Sequence, residues 1–181
     1  MPSVVMINGS FGVGKTSVAR CLRRRVSGSV IYDPEWTGWV IQRLPSWVHL
    51  RGRGTDDFQD VDLWRSSVVA GIRLFRAVAP GPVFVPMTFS SPEYLAHILS
   101  GIRPFEPTVR VFCLLASLET IRRRIQDRGT PIDESASWIL RRTEECVRAH
   151  KDPRFGEGIN TEGRSITEVV EEILAKLQVS P

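Results

Sequence analysis

Gly9-Ser10-Phe11-Gly12-Val13-Gly14-Lys15-Thr16 lies between an apolar run at Val4–Asn8, typical of a buried strand, and a segment with apolar residues at helical spacing. Its glycines let the backbone wrap closely around an anion, because no Cβ atom stands in the way. The backbone N–H groups of such a loop and the N-terminus of the following helix then face a phosphate. This spacing in a strand–loop–helix context predicts a P-loop, the triphosphate cradle of nucleotide-binding proteins.

The P-loop sequence also predicts individual contacts. Lys15 is expected to reach the β- and γ-phosphates as a catalytic residue, and the Thr16 hydroxyl is expected to ligate Mg²⁺. The loop residues expected to contact the nucleotide are Gly9, Phe11, Gly12, Val13, Gly14, Lys15, Thr16 and Ser17. The motif predicts nucleotide binding but leaves open what happens to the γ-phosphate.

Strand-like runs and helical patterns alternate along the rest of the chain. Further strands are predicted at residues 30–32, 83–87, 109–115 and 158–160. Helices are predicted at residues 15–26, 35–43, 61–79, 92–100, 118–128 and 134–150. A last helix carries the apolar stripe Ile166–Leu177 after a capping-box pattern of Ser165 and Glu168. The alternation implies an α/β fold with a mostly parallel sheet and helices on both faces.

Length and composition predict one ordinary globular domain. The chain has 181 residues, of which 42% are hydrophobic and 24% charged, and domains usually run to roughly 100–200 residues. We therefore predict a single P-loop kinase-like domain over residues 1–181, with lid helices near residues 118–150. The net charge is +4, and no charge run is long enough to suggest a nucleic-acid tail. No nucleic-acid partner is predicted.

The cysteines and the apolar runs of the sequence predict the cellular location of the protein. Cys21, Cys113 and Cys146 are odd in number, far apart and without paired metal-ligand spacing, which predicts buried, reduced thiols in a cytoplasmic protein. The N-terminus enters a strand with no basic-then-apolar leader, so no signal peptide is predicted. The longest apolar run, near Val111–Ala116, is far shorter than the roughly 20 residues that span a bilayer.

Two missing patterns narrow the class of P-loop protein. GTPases usually read guanine with an Asn-Lys-x-Asp sequence, which does not occur here. Motor and RecA-like ATPases usually end a central strand with an acidic pair, whereas Val83–Met87 runs into Thr88 and Val109–Leu115 runs into Ala116-Ser117. The class that remains is the kinases of small molecules and nucleotides.

Three positions favour a kinase. The second strand ends at Asp33, whose carboxylate is a candidate to deprotonate an acceptor hydroxyl; capping the next helix is the alternative. Arg124 and Arg128 are four residues apart, so they share a helix face and would clamp charge on the transferred phosphoryl group, unless that face is simply solvated. Thr161 follows the last strand, where this class commonly lines the adenine site, although a plain turn is the alternative. Arg124 and Thr161 are thus further candidates for nucleotide contact.

Short segments along most of the chain follow the pattern of one family. They are Ile7-Asn8-Gly9-x-Phe11-Gly12-x-Gly14-Lys15-Thr16, Tyr32-Asp33-Pro34-Glu35, Asp57-Phe58-Gln59, Leu63-Trp64-Arg65, Val85-Pro86-Met87-Thr88, Pro92-Glu93-Tyr94 and Ala116-Ser117-x-Glu119-Thr120. On these segments the chain resembles the tunicamycin-resistance protein family of P-loop ATP-binding proteins, from Val5 to about Ile173. The P-loop alone is shared by a very large superfamily, whereas the combination of Asp-Pro-Glu, Asp-Phe-Gln and Pro-Met-Thr is much more specific.

The resemblance implies ATP binding and an association with resistance to tunicamycin, a nucleoside antibiotic that carries sugars and a fatty acyl chain. It also implies a fold like that of shikimate, gluconate and chloramphenicol kinases, with a five-stranded parallel sheet in the order 2-3-1-4-5. Some relatives continue past the last helix into a tail thought to touch the membrane, whereas this chain stops at Pro181. The sequence therefore does not predict membrane association, and we expect the Ile166–Leu177 stripe to pack in the core.

In kinases of this fold the acceptor lies across the carboxyl ends of the strands and faces the P-loop. The residues expected to line that side are Asp33, Glu35, Trp36, Phe58, Gln59, Trp64, Met87 and Thr88. Aromatic walls with few polar groups suit a nucleoside or sugar, whose rings stack and whose hydroxyls meet carboxylates. For Trp64 and Met87 the alternative is ordinary core packing.

The sequence thus predicts an ATP- and Mg²⁺-dependent kinase of a small hydroxylated molecule such as a nucleoside-type antibiotic, acting as a monomer or homodimer. Two alternatives stay open. An ATP-binding protein that sequesters the antibiotic without modifying it needs no base, and the lack of a strand-end carboxylate favours it. A nucleotide kinase acting on a monophosphate needs arginines on the acceptor side, for which Arg43, Arg51, Arg53 and Arg65 are the candidates.

Overall fold

The computed structural model describes residues 2–34, 62–127 and 134–178, with side chains from residue 139 onward in the last range. Within these ranges the strands are β1 at Val4–Gly9, β2 at Val30–Ile31, β3 at Val83–Pro86, β4 at Val109–Leu115 and β5 at Glu157–Asn160. They form one sheet in the order β2-β3-β1-β4-β5, and every neighbouring pair is parallel. The α/β fold and the strand order expected from the sequence are confirmed.

Helices connect the strands and end within two residues of the predicted positions. They are α1 at Lys15–Arg25, α2 at Asp62–Val78, α3 at Pro92–Ile102, α4 at Leu118–Gln126, α5 at Glu134–Ala149 and α6 at Ile166–Gln178, with a 3₁₀ turn at Pro153–Phe155. The helix predicted at residues 35–43 lies outside the described residues. None of the helices within the described ranges is long and apolar enough to cross a membrane.

The predicted capping box at the start of α6 is confirmed. The Glu168 N–H donates to the Ser165 hydroxyl at 3.3 Å, and the Ser165 N–H donates to the Glu168 carboxylate at 2.8 Å. The two bonds satisfy backbone donors that the first turn of a helix leaves without intrahelical partners. The side chains of α6 that follow at helical spacing, Val169, Val170, Ile173 and Leu177, are buried in the core, as expected. Ile166, the first residue of the predicted stripe, is instead 39% exposed, because it lies at the end of the helix.

Helices cover both faces of the sheet, and β1 contributes alternate side chains to the two resulting cores. On one face Met6 belongs to a buried cluster with Trp64 of α2 and Leu95 of α3. On the other face Ile7 belongs to a cluster that includes Leu22 of α1, Ile121 of α4 and Val170 of α6. The strand that leads into the P-loop is therefore buried on both sides.

Candidate nucleotide and acceptor site

The loop between β1 and α1 has the backbone that a phosphate cradle needs. Gly9, Gly12 and Gly14 have φ angles of 147°, 78° and 109°, a region that other L-residues rarely adopt. A Cβ atom added at Gly12 would lie 2.8 Å from Cγ1 of Ile125, on α4. The P-loop therefore packs directly against α4, and glycine is required at position 12 for both conformational and steric reasons.

The N-terminus of α1 is open to an anion. Gly14 is the N-cap residue of α1, and none of the side chains that the structure describes caps this end of the helix. Thr16 and Ser17 are exposed in the first turn. Because the first N–H groups of a helix have no intrahelical partner, this end binds a phosphate well. The arrangement fits a nucleotide phosphate, and ligation of Mg²⁺ by the Thr16 hydroxyl stays a prediction.

The Lys15 ammonium group lies inside the P-loop. Its Nζ atom donates to the Ser10 carbonyl oxygen at 3.0 Å and lies 5.7 Å from the centroid of the Phe11 ring. Only 8% of Lys15 is exposed. A positive charge held within a ring of backbone N–H groups is the arrangement that receives nucleotide phosphates.

Arg124 links three elements around the cradle. From α4, its guanidinium donates to the P-loop carbonyl of Val13 at 3.3 Å and to the Thr161 hydroxyl and carbonyl at 3.3 and 3.0 Å. Thr161 is buried, and its N–H donates to the Leu115 carbonyl at 2.8 Å. The structure thus brings Arg124 and Thr161 to the edge of the P-loop, as a shared nucleotide site requires. Arg128 lies outside the described residues.

The loop after β5 is also tied to the start of α4. The Glu162 carboxylate accepts hydrogen bonds from the Thr120 hydroxyl and from the Ser117 N–H, the latter at 2.7 Å. These bonds hold the pKa of Glu162 below its ordinary value, with the Thr120 hydroxyl as the larger cause. Glu162 therefore stays ionised at neutral pH and holds the loop after β5 against the start of α4.

Replacing Arg124 with alanine is expected to raise the Kd for ATP about tenfold, because three hydrogen bonds that hold two loops together are lost. Isothermal titration calorimetry with ATP and Mg²⁺ measures this. Arg123→Ala is the matched control, since Arg123 is exposed on the same helix and donates to Thr120 at 3.5 Å. Equal affinities in the two variants would contradict a role of Arg124 in nucleotide binding.

The carboxyl edge of the sheet next to the P-loop carries Asp33. The Tyr32 N–H donates to the Phe84 carbonyl at 3.0 Å, so pairing of β2 with β3 continues up to the residue before Asp33. The Tyr32 ring packs on Gly71 of α2, where a Cβ atom would lie 2.3 Å from the phenol oxygen. This tight contact fixes the chain direction at Asp33, which is half-buried.

The remaining acceptor-side candidates fall into two groups. Trp64, Met87 and Thr88 are 0%, 1% and 4% exposed, so Trp64 and Met87 contribute to the core in this structure. Their contact with an acceptor stays a prediction. Glu35, Trp36, Phe58 and Gln59 lie outside the described residues.

The profile of the AAA domain family (AAA_33) matches residues 4–151, which is most of the chain. The chain belongs to this family. A comparison with curated protein sequences finds no match.

The solved structures of similar fold include an antibiotic resistance protein and several kinases. The tunicamycin resistance protein of Deinococcus radiodurans is 26% identical, with a TM-score of 0.73 over 99% of this chain and 98% of that one. A sugar kinase from a Janibacter species is 20% identical, with a TM-score of 0.69 over 100% and 97%. A shikimate kinase from Bacteroides thetaiotaomicron is 16% identical, with a TM-score of 0.63 over 99% and 100%. The likeness to the two kinases shows that this AAA domain family member has a P-loop kinase-like fold.

Two buried polar side chains near the P-loop were not predicted as site residues from the sequence. Asn8, the last residue before the loop, is 0% exposed, and His150, after α5, is 4% exposed. The His150 Nε2 lies 2.8 Å from the Phe89 carbonyl oxygen, which makes this nitrogen the protonated one. A polar residue that ends an otherwise apolar strand was the available signal for Asn8, whereas nothing local distinguishes His150.

Burial near the P-loop shifts the pKa values of His150 and Cys113. Burial holds the pKa of His150 below its usual 6.5, although the hydrogen bond to Phe89 acts in the opposite direction. Burial also raises the pKa of the Cys113 thiol to about 12, and the charge of Lys15 opposes that shift. His150 is therefore neutral and Cys113 is an unreactive thiol at neutral pH.

The protein is expected to lose stability as the pH falls from about 6.5 toward the lowered pKa of His150. In that window the unfolded chain binds a proton that the folded chain does not, so the free energy of unfolding drops by up to about 1.4 kcal/mol per pH unit. Urea unfolding at pH 7.5 and 5.5 measures the difference. His150→Gln should show a smaller drop than the natural protein, and His97→Gln, which changes an exposed histidine, should not. The same drop in all three proteins would rule out His150 as its source.

Proposed function

We propose that this protein is an ATP- and Mg²⁺-dependent kinase that phosphorylates a hydroxyl group of a small molecule such as a nucleoside-type antibiotic. The observation that carries the proposal is the position of Asp33 at the same edge of the sheet as the P-loop. β3 separates β2 from β1, and neighbouring strands are about 4.8 Å apart, so the two strand ends are about 10 Å apart. That gap suits an acceptor held between a base and a γ-phosphate.

The proposed reaction uses the residues of the site in distinct roles. The Asp33 carboxylate accepts the proton of the acceptor hydroxyl, and the hydroxyl oxygen forms a bond to the γ-phosphorus as ADP leaves. Lys15 and Arg124 stabilise charge on the phosphates, and Arg128 is proposed to join them. Mg²⁺ at the Thr16 hydroxyl would supply further charge neutralisation. Glu35, Trp36, Phe58, Gln59, Trp64, Met87 and Thr88 are proposed to surround the acceptor. The two helices that follow β4 are proposed to act as a lid.

The similarity to the Deinococcus radiodurans tunicamycin resistance protein supports a nucleoside antibiotic as the acceptor, because it covers 99% of this chain. The sugar and shikimate kinases support phosphoryl transfer to a hydroxyl only through their shared fold. We therefore propose tunicamycin-like molecules as the first acceptors to test. The proposed site of action is the cytoplasm.

One observation favours an alternative in which the protein binds the antibiotic without modifying it. β3 runs into Met87-Thr88 and β4 runs into Ala116-Ser117, so neither strand ends in a carboxylate that could ligate a magnesium ion. A magnesium ion would then depend on Thr16 and the nucleotide phosphates. A binder that sequesters the drug tolerates such a weak metal site better than a kinase does.

The third candidate function is a nucleotide kinase, which needs arginines on the acceptor side to bind a monophosphate. Among the described residues, Arg65 is the candidate for this contact. The Arg65 guanidinium pairs with Asp62 and lies 5.0 Å from the centroid of the Tyr94 ring, at the start of α3. Its side chain is only 11% exposed. Arg43, Arg51 and Arg53 lie outside the described residues.

Mass spectrometry separates these functions. The protein is incubated with ATP, Mg²⁺ and a panel of tunicamycin, other nucleoside antibiotics, simple sugars and nucleoside monophosphates, with Lys15→Ala as the inactive control. A kinase adds one phosphoryl group to an acceptor and releases an equal amount of ADP, and it does so with acceptor in large excess over protein. If the masses of all panel members stay unchanged while tunicamycin binds in a one-to-one complex, the kinase proposal fails and sequestration replaces it.

A further inference from the structure

One buried amide connects the P-loop to two distant parts of the chain. The Asn8 Oδ1 atom accepts from the Gly9 N–H at 2.7 Å and from the Phe89 N–H at 3.0 Å. The Asn8 Nδ2 atom donates to the Phe155 carbonyl at 3.1 Å and to Cys113 Sγ at 3.7 Å. A side-chain amide offers two acceptor sites and two donors, so Asn8 uses its full capacity.

His150 completes the connection from the opposite side. Its Nε2 atom donates to the Phe89 carbonyl oxygen at 2.8 Å, and its ring meets the Phe155 ring edge-on at 4.7 Å between centroids. The backbone of Phe89 is therefore held at its N–H by Asn8 and at its carbonyl by His150. Phe89 lies in the loop between β3 and α3, directly after the acceptor-side candidates Met87 and Thr88.

These contacts exceed what packing alone requires at this position. The other side chains of β1 before Asn8 are apolar and fully buried, and an apolar side chain at Asn8 would fill the same space. The Asn8 amide instead forms hydrogen bonds with three segments that are far apart in the chain, at residues 9, 89 and 155. Such a network is favourable only when every member is satisfied, which sets one arrangement of the three segments.

We propose that Asn8 and His150 are positioning residues that couple the nucleotide site to the acceptor side. When phosphates enter the P-loop and displace Gly9, the Asn8 side chain, which binds both the Gly9 N–H and the Phe89 N–H, moves Phe89 as well. His150 holds the Phe89 carbonyl, so the β3–α3 loop moves together with Phe89. Nucleotide binding then shifts the loop that carries Met87 and Thr88. The acceptor half of this inference rests on the proposed kinase function, whereas the movement of the loop does not.

Hydrogen–deuterium exchange with the non-hydrolysable analogue AMP-PNP and Mg²⁺ tests the coupling without any acceptor. In the natural protein, the analogue should change amide exchange in residues 87–91 at least about fivefold, together with residues 10–16 of the P-loop. In Asn8→Ala and His150→Leu, residues 10–16 should still respond at saturating analogue while the response of residues 87–91 falls below about twofold. His150→Gln keeps a side-chain N–H donor and should retain the full response.

A response of natural size in folded His150→Leu overturns the proposal, and so does the absence of any response at residues 87–91 in the natural protein. Should Asn8→Ala fail to fold, the comparison of His150→Leu with His150→Gln decides alone. A role in packing only would lower the melting temperature of both His150 variants without separating their exchange responses. Where an acceptor has been found, His150→Leu should lower kcat/KM for it more than it raises the Kd for ATP. A protein with coupled loops but no phosphoryl transfer refutes the kinase proposal and leaves this inference intact.

Discussion

Lys15→Ala is expected to weaken ATP binding at least about 100-fold, or about 2.8 kcal/mol. The Lys15 ammonium lies within the P-loop at 3.0 Å from the Ser10 carbonyl oxygen. Its expected role is to donate charge-assisted hydrogen bonds to two phosphates, each worth about 1.5–3 kcal/mol. Equilibrium dialysis with labelled ATP and Mg²⁺ measures the loss.

Lys176→Ala is the matched control for this substitution. It removes the same charge from α6, where Lys176 pairs with Glu157 at the amino end of β5, on the edge of the sheet away from the P-loop. Its ATP affinity should stay within about twofold of the natural value. Circular dichroism should show both variants folded, and natural ATP affinity in folded Lys15→Ala would refute the assignment of Lys15 as the phosphate contact.

Asp33→Asn is expected to lower phosphoryl transfer by about 100- to 10,000-fold, the usual contribution of a general base. The exchange is nearly isosteric, so the contact of Tyr32 with Gly71 that positions residue 33 should persist. ATP affinity should therefore change by less than about twofold, and the effect should appear in kcat. Rates of ADP formation with the acceptor identified by mass spectrometry measure it.

Asp127→Asn serves as the control for Asp33→Asn, because it removes one exposed carboxylate at the end of α4. Turnover by this control should match the natural protein. Near-natural turnover in Asp33→Asn would reassign Asp33 to a helix cap or a positioning group. The base would then be sought at Glu35.

The sequence predicted the features that short stretches of chain determine. The P-loop motif and the capping box are local patterns, and both have the expected backbone contacts. The strand order came from family resemblance, because alternation of strands and helices alone does not determine which strands are neighbours. The structure also brings Arg124 and Thr161 together beside the P-loop, and their contact with a nucleotide stays a prediction.

The rest of the site depends on contacts that no local pattern reveals. Asn8 reaches partners 81 and 147 residues away, and His150 reaches one 61 residues away. For Trp64 a local pattern exists but is ambiguous. An aromatic residue at helical spacing is typical both of a core residue and of a residue that lines a pocket. The structure places its side chain in the core with 0% exposed.

The strand order has a consequence for how such proteins can diversify. The P-loop, Arg124 and Thr161 belong to the two ends of the chain, residues 4–25 and 109–178, while β2, α2, β3 and α3 lie in one stretch between them, residues 30–102. Recombination at two points in the gene would therefore exchange the proposed acceptor side as one cassette and keep the proposed nucleotide side. The hydrogen bonds from Asn8 and His150 to this stretch reach only the N–H and carbonyl of Phe89, which every residue except proline offers. Side-chain packing is the stronger restriction, because Phe89 is fully buried and Met6 of β1 belongs to one buried cluster with Trp64 and Leu95. An incoming stretch would therefore have to bring apolar side chains that fill the same space against β1.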